Sequence, residues 1–396
     1  MRSFLFVATS VVATIAVIQG CSSSPKPPPF GTTDAGDEYT PLPGDDGGDP
    51  FADAGTGDSV APPQCSPDPS NFDVPGNGCD DDGDGTIDNG TTACDQGLAV
   101  TGDAMAFAKA IGLCKVSSGG SWGVVSASYG PYSGSVQPAA EQHGILTKFG
   151  NVLKSREGAN LGVLSSGWAR EYDNCAGGNE PFKGGCSMTS GTGAAPTGFP
   201  KASPSCPNSG ISSTVNDVID MKLQIKVPAN AKGFSFDFNF FSGEWPEVVC
   251  TTYNDSFIAY LKSNAFNNGK ADNISFDSKN NPVSVNNGFF DRCSPKNLAC
   301  DNFPPSYQAC AGGDAELKGT GFYNPDDNCF TGSGNDSGGG ATGWLTTKAP
   351  VQPGETITLE FLIWDTGDHI YDSSVLLDKF TWETTDTQVG TVRPPN

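Results

Sequence analysis

The stretch "CDDDGDGTIDNG" (79–90) places Asp80, Asp81, Asp82, Asp84 and Asp88 within nine positions. Carboxylates this close repel one another unless a hard cation, hydrogen-bond donors or water offset their charge. Counted along a calcium loop, Asp80, Asp82 and Asp84 fall at positions 1, 3 and 5. Gly85 falls at the sharp turn of position 6, Thr86 offers its carbonyl at 7, Ile87 is the apolar 8 and Asp88 stands at 9. Alternate side chains of so tight a loop converge, and a set made of oxygens alone suits calcium. The expected ligands are therefore Asp80, Asp82, Asp84, Thr86 and Asp88, and the expected ion is calcium. Position 12 is Thr91, not glutamate, so the usual bidentate ligand is missing and weak affinity is expected. The flanks "FDVPGNGC" and "TTACDQG" carry no helical pattern, which argues against an EF-hand pair. The same residues also fit a solvated acidic turn without an ion.

A second group of acids lies far along the chain. Glu244 and Glu247 flank "WP", Asp255 follows in "NDSF", and Asp365, Asp368, Asp372 and Asp378 surround the last strands. Acids at strand ends can bond backbone N–H groups of turns. They can equally form a second cation site between loops. Both readings stand at this point.

Catalytic readings are weaker. Glu244 and Glu247 could act as a glycosidase acid/base pair, which needs carboxylates about 5–10 Å apart; a spacing of three on an extended segment faces them oppositely. "GGSWG" (119–123) matches the letters of a nucleophile elbow, but a strand rather than a helix follows it. "NDSGGG" (335–340) has no histidine placed to serve it, since His143 lies in "EQHGI" and His369 in "GDHIY". No enzyme is expected. Trp245, Trp344 and Trp364 could supply stacking faces to a glycan, although most aromatics of such a chain belong to its core.

The elements that must position these groups are mainly strands. "DAMAFAKAIGLC" sets Ala104, Phe107, Ile111 and Cys114 on one helical face. Beyond it the apolar period is two: "MKLQIKV", "FSFDFNF" and "ITLEFLIW" alternate as half-buried antiparallel strands do. "DSFIAYL" and "SSVLLDKFTW" read as more fully buried strands. Long Gly/Asn/Pro/Cys-rich connections (172–210, 264–349) separate them. The expected fold is an antiparallel β-sandwich over 98–385 with long disulfide-pinned loops and one short early helix, followed by a tail at 386–396.

The formal net charge of −23 is uneven. Residues 22–64 hold eight acids and one base, and residues 71–95 hold seven acids and no base. Nucleic acid is excluded as a partner because phosphate binding needs a basic face. Residues 21–70, rich in Pro, Gly, Asp and Ser, have too few apolar side chains to offset ordering entropy and read as a disordered tether. Ahead of it, Arg2, the apolar run Phe4–Ile18 and then Cys21 read as a secretory signal over 1–20. Of 13 cysteines, 12 remain to pair if Cys21 is otherwise used, and no C-x-x-C suggests zinc. Cys175–Cys186 and Cys300–Cys310 are the expected local pairs.

Three resemblances extend this reading. "VIQGC" resembles the lipobox of bacterial lipoproteins, which implies cleavage before Cys21 and a lipid on its sulfur; Ser22 after it favours an outer-membrane address. The Asp-rich stretch resembles thrombospondin type 3 and dockerin calcium loops, and more closely the MopE-type metal-binding repeat. Where that repeat often has a second cysteine this chain has Gly83, so Cys79 is assigned Cys94 as its partner. Finally, "FSFDFNFFSGEWPEVVCTTYNDSFIAYL" and "ITLEFLIWDTGDHIYDSSVLLDKFTW" are similar to the choice-of-anchor L domain, with Gly243 and Trp245 departing from its pattern. That resemblance implies a β-rich, non-catalytic extracellular module. The chain so read is a cell-surface lipoprotein held to a membrane by its lipid, with a surface glycan or an extracellular protein as partner. A carbohydrate-binding module and, further off, a secreted glycoside hydrolase are the competing functions.

Overall fold

A computed structural model describes residues 65–88, 94–174, 189–246, 248–293, 310–324 and 338–394. Cys21, Thr91, Cys175, Cys186, Glu247 and Cys300 lie outside these residues.

Helix α1 (Ala104–Ala110) starts where Asp103 caps it, its side chain accepting from the Ala106 N–H at 2.8 Å. It ends before Gly112, whose φ of +98° and close approach to the Phe380 backbone admit no side chain. Cys114 thus falls beyond the helix. Phe107 is fully buried and lies over Gly162, where a Cβ would meet its ring at 2.3 Å.

Fifteen strands are present among the described residues. The early ones are β1 (Gly123–Gly130), β2 (His143–Leu146), β3 (Lys148–Phe149), β4 (Leu153–Lys154) and β5 (Leu161–Ser165). The middle of the chain forms β6 (Val215–Lys226), β7 (Gly233–Ser242), β8 (Ser256–Lys262), β9 (Asp272–Asn273) and β10 (Arg292–Cys293). The last are β11 (Gly340–Ala341), β12 (Leu345–Pro350), β13 (Thr356–Thr366), β14 (Ser373–Glu383) and β15 (Gly390–Val392). One sheet runs β1-β6-β13-β8-β9; the other runs β10-β11-β7-β14-β5-β2, with β12 joining β7 to β15. Pairing between the named strands is antiparallel.

The two sheets face each other across one apolar core, as expected of a sandwich. Met221, Leu223 and Ile225 of β6 and Leu359, Phe361 and Ile363 of β13 lie on one side; Phe234, Phe236, Phe238 and Phe240 of β7 lie on the other. Phe236 meets Phe361 edge-on, with ring centroids 5.0 Å apart. The expectation that β7 is half-buried needs correction: Ser235, Asp237 and Asn239 on its other face are buried as well. A second layer covers that sheet, with Phe149, Leu153, Tyr172, Leu317 and Phe322 packed on Phe241 and Leu376.

Four disulfides pin the described loops: Cys65–Cys79, Cys94–Cys114, Cys206–Cys250 and Cys293–Cys310. Two expected pairings are thereby overturned. Cys79 and Cys94 do not bond each other; each instead ties the Asp-rich segment at a different end. Cys310 bonds Cys293, so it is not the partner of Cys300. Residues 65–95 also dock on the sandwich. Phe72 is buried in the main core, its N–H and C=O bond the Asn230 side chain, and the Trp122 indole donates to the Asn71 carbonyl.

Candidate metal centre

Alternating aspartates and positive-φ glycines fold the Asp-rich segment into a coil of side-chain-to-amide bonds. Gly83 and Gly85 have φ of +73° and +94°, which lets the chain reverse twice within a few residues. Asp80 accepts from the Asp84 and Gly85 amides at 3.1 and 3.0 Å, and Asp82 accepts from the Asp84 amide at 3.1 Å. Asp84 in turn accepts from the Thr86 amide at 2.8 Å. Each acid therefore has an oxygen fixed by the backbone of the same turn.

One oxygen each from Asp73, Asp80 and Asp82 lie within 4.8 Å of one another, a separation that fits two ligands across a calcium ion. Asp80 and Asp82 were expected there and Asp73 was not. Asp73 is buried and accepts from the Asp81 amide at 2.6 Å and the Asp82 amide at 3.1 Å. Asp88 stands apart from the trio. Its carboxylate accepts the amides of Asn77 and Gly78 at 3.0 and 3.1 Å, so it closes the turn before the loop. Burial and the neighbouring Asp84 and Asp73 charges push the Asp82 carboxyl upward, against the hydrogen bond from the Asp84 amide and the charge of Lys115. Lys115 is the nearby cation, 3.8 Å from Asp82 and stacked over the Trp122 ring at 4.3 Å.

A groove of about 550 Å³ opens between this loop and the body, lined among others by Phe72, Asp82, Lys115, Trp122, Phe380 and Trp382. On the exit side, buried Asp95 accepts the Ala159 and Asn160 amides, both at 2.6 Å. The loop is thus fastened to the body before and after its acids.

The second acidic group separates into parts. Glu244 follows β7, Asp255 precedes β8, Asp365 ends β13 and Asp372 precedes β14, and all four are buried where these strand ends meet. Glu244 accepts the Asp255 amide at 2.8 Å. Asp255 accepts the Thr366 amide at 3.1 Å and the Ser373 hydroxyl at 2.7 Å, the latter crossing from one sheet to the other. Asp372 accepts the Tyr172 hydroxyl at 3.0 Å. Burial first, and then neighbouring acids, raise the carboxyls of Glu244, Asp255 and Asp365 well above the usual range. Asp368 is more exposed and bonds the Ile370 amide. Asp378 lies elsewhere on β14, where burial lifts it to about 7 while the amides of Arg156 and Lys379 pull it down.

The sequence from Lys115 to Trp382 matches the choice-of-anchor L domain. The chain belongs to this family. The match places a surface-associated β-rich domain on residues 115–382, inside the 98–385 expected from the sequence. No curated protein and no solved structure matches the chain. The choice-of-anchor L domain here brings distant segments together, since Glu244 and Asp255 come from the β7–β8 region and Asp365 from β13. At the two departures, Gly243 donates its amide to the Asp372 carbonyl at 2.9 Å and Trp245 packs on Phe290 with centroids 5.0 Å apart.

The remaining sequence readings take their places on this domain. Trp245 and Trp364 are buried and belong to the core, whereas Trp344 is half-buried, packed on the second core on one side and with the Arg156 guanidinium 5.9 Å from its ring. His143 stacks on Tyr129 at 3.7 Å, and the Nδ1 of His369 lies 2.5 Å from Asp217. A strand rather than a helix follows Ser121, which is not the setting of a nucleophile elbow. Among the described residues no helix is long and apolar enough to cross a membrane.

Proposed function

We propose that this choice-of-anchor L protein is a non-catalytic cell-surface lipoprotein whose Asp-rich segment binds calcium and thereby fastens residues 65–95 to the sandwich. The convergence of Asp73, Asp80 and Asp82 carries the reading. Three carboxylate oxygens suit a hard divalent cation, and water completes the shell. Asp84, Thr86 and Asp88 then hold the loop's shape through the backbone, Asp84 as a near neighbour of the ion. Sites of this kind in extracellular modules bind at about 10⁻⁴–10⁻³ M, which suits calcium outside cells. Calorimetric titration of the protein with calcium chloride should show a saturable site, lost in the Asp80→Asn/Asp82→Asn double variant. Unchanged heats in that variant would refute the loop as the site.

The address rests on Cys21. A lipid there holds the protein to a membrane, and the acidic tether sets the body away from the surface. Cys21→Ser should move the protein from membrane to soluble fractions; a wild-type protein already soluble refutes the anchor. A surface glycan or an extracellular protein is the partner of such a module. We take the glycan as the partner and seat it on the polar side chains of the groove, Asp82, Asp88 and Lys115, because Trp122 and Trp382 are buried and leave no open ring face. Glycan-array binding with and without calcium checks that choice.

A further inference from the structure

The joint between the two sheets holds a charge problem that the loop site does not address. Glu244, Asp255 and Asp365 are 3%, 1% and 1% exposed. No Lys, Arg or His among the described residues forms an ion pair with any of them. Buried charges are otherwise found paired or bound to metal.

Asp365 is the decisive side chain. Both of its oxygens are buried and neither receives a hydrogen bond. Its carboxyl lies within hydrogen-bond reach of the Asp255 carboxylate and close to the Ser166 hydroxyl, so a proton shared by the two acids or a cation has to separate them. Ser166, the adjacent hydroxyl, is turned to the Ser373 carbonyl at 3.4 Å and accepts the Ser373 amide at 3.0 Å. The other oxygens of the joint are fixed by donors: the Asp255 amide on Glu244, and the Thr366 amide and Ser373 hydroxyl on Asp255. Asp365 alone has both oxygens buried without an N–H or O–H in hydrogen-bond geometry, which leaves a proton shared with Asp255 or a cation to neutralise it.

We propose that this joint is a second divalent-cation site, of calcium class, held by Asp365 and Asp255 with Glu244 completing the negative cage. Oxygen-only ligands select a hard ion. An ion here contacts the end of β13 and the start of β8 in one sheet, beside Glu244 after β7 of the other, and so clamps the sandwich at one end. The three carboxylates stand too far apart to form one shell as they are, since only Asp73, Asp80 and Asp82 among the described residues have oxygens that close together. Calcium entry therefore turns these side chains inward. The proposal stands independently of the loop.

Two measurements on the full chain test it. The first is stoichiometry by calcium titration after chelator treatment. The wild type should take up two calcium ions, Asp80→Asn/Asp82→Asn one, and Asp365→Asn one. A loop that does not bind leaves one ion in both the wild type and the loop variant, and that ion should vanish in Asp365→Asn. The second is thermal unfolding. Asp365→Asn removes a repulsion and supplies a donor to Asp255, so it should raise the melting temperature in chelator. In millimolar calcium it should lower that temperature relative to the wild type. If Asp365→Asn is as stable as the wild type or more so in both conditions and takes up the same calcium, the cluster is neutralised by protons and the proposal is overturned. Should Asp365→Asn not fold, the loop variant decides alone: one retained ion supports the site, and none overturns it.

Discussion

Asp73 offers the sharpest test of the loop. It lies seven residues before the Asp-rich repeat begins, yet its carboxylate joins those of Asp80 and Asp82. Asp73→Asn keeps an acceptor for the Asp81 and Asp82 amides, now at 2.6 and 3.1 Å, but removes one of three negative charges from the ion. Unit charges about 4 Å apart interact by about 4 kcal/mol at an effective dielectric near 20 and by about 1 kcal/mol in water. The loop lies between these limits, and water replaces part of the lost contact. A loss of about 1.5–3 kcal/mol follows, which is about 10- to 100-fold in affinity. Asp73→Ala also orphans two amides at about 1–3 kcal/mol each and should disorder the turn itself. Calcium titration followed by calorimetry reads the first effect. Fluorescence of Trp122, whose indole holds the Asn71 carbonyl, reads the second. The assignment fails if Asp73→Asn binds calcium like the wild type while Asp88→Asn does not bind, because the ligands would then be those that spacing alone picks out.

Other outcomes follow from the same structure. Replacing Cys94 and Cys114 with alanine opens a link spanning 20 residues and should cost about 3 kcal/mol, measured by denaturant unfolding. Burial, and then Arg170, holds His143 down to about 4 from an ordinary 6.5. The unfolded chain takes that proton first, so stability should fall as pH drops from 6.5 to 4. Full burial would give about 3 kcal/mol, and partial exposure reduces it to about 1–2 kcal/mol. The difference between the wild type and His143→Phe isolates this term from the acids that titrate beside it; a difference independent of pH refutes it. Gly162→Ala forces a methyl onto the Phe107 ring and should destabilise by at least about 1–3 kcal/mol, whereas an unchanged melting temperature would show that α1 shifts freely.

The strands were legible because their period of two is a property of the pleat. Met221, Leu223 and Ile225, or Ile357, Leu359 and Phe361, face the core as their alternation says. The same pattern misled at Asp237 and Asn239, since a polar residue does not announce whether a second layer covers it. Asp80 and Asp82 could be read from spacing within one tight loop. Asp73 could not, because its approach depends on the turn through Pro75 and Gly78 and on the Cys65–Cys79 link, which joins residues outside the repeat. The second acids were placed at strand ends by sequence alone. That three of those ends share one buried point follows from strand order and register, with Ser242 opposite Ser373 and Trp364 opposite Ser256, and sequence spacing carries none of that.

The paired disulfides at either end of the Asp-rich loop also decide how the protein bears mechanical load. Tension arriving from the chain before Cys65 crosses to Cys79 through sulfur, runs along residues 80–93, and re-enters covalent shelter at Cys94–Cys114. Of this path the loop can lengthen without breaking a strand, once Phe72 and its bonds to Asn230 let residues 66–79 leave the sandwich. Fully drawn out, the span from Cys79 to Cys94 reaches about 50 Å. The aspartate coil would then act as a yielding element in series with a stiff body, letting go and recoiling before β1 or any other strand is pulled in shear. Its resistance would be set by whatever ion holds the coil closed.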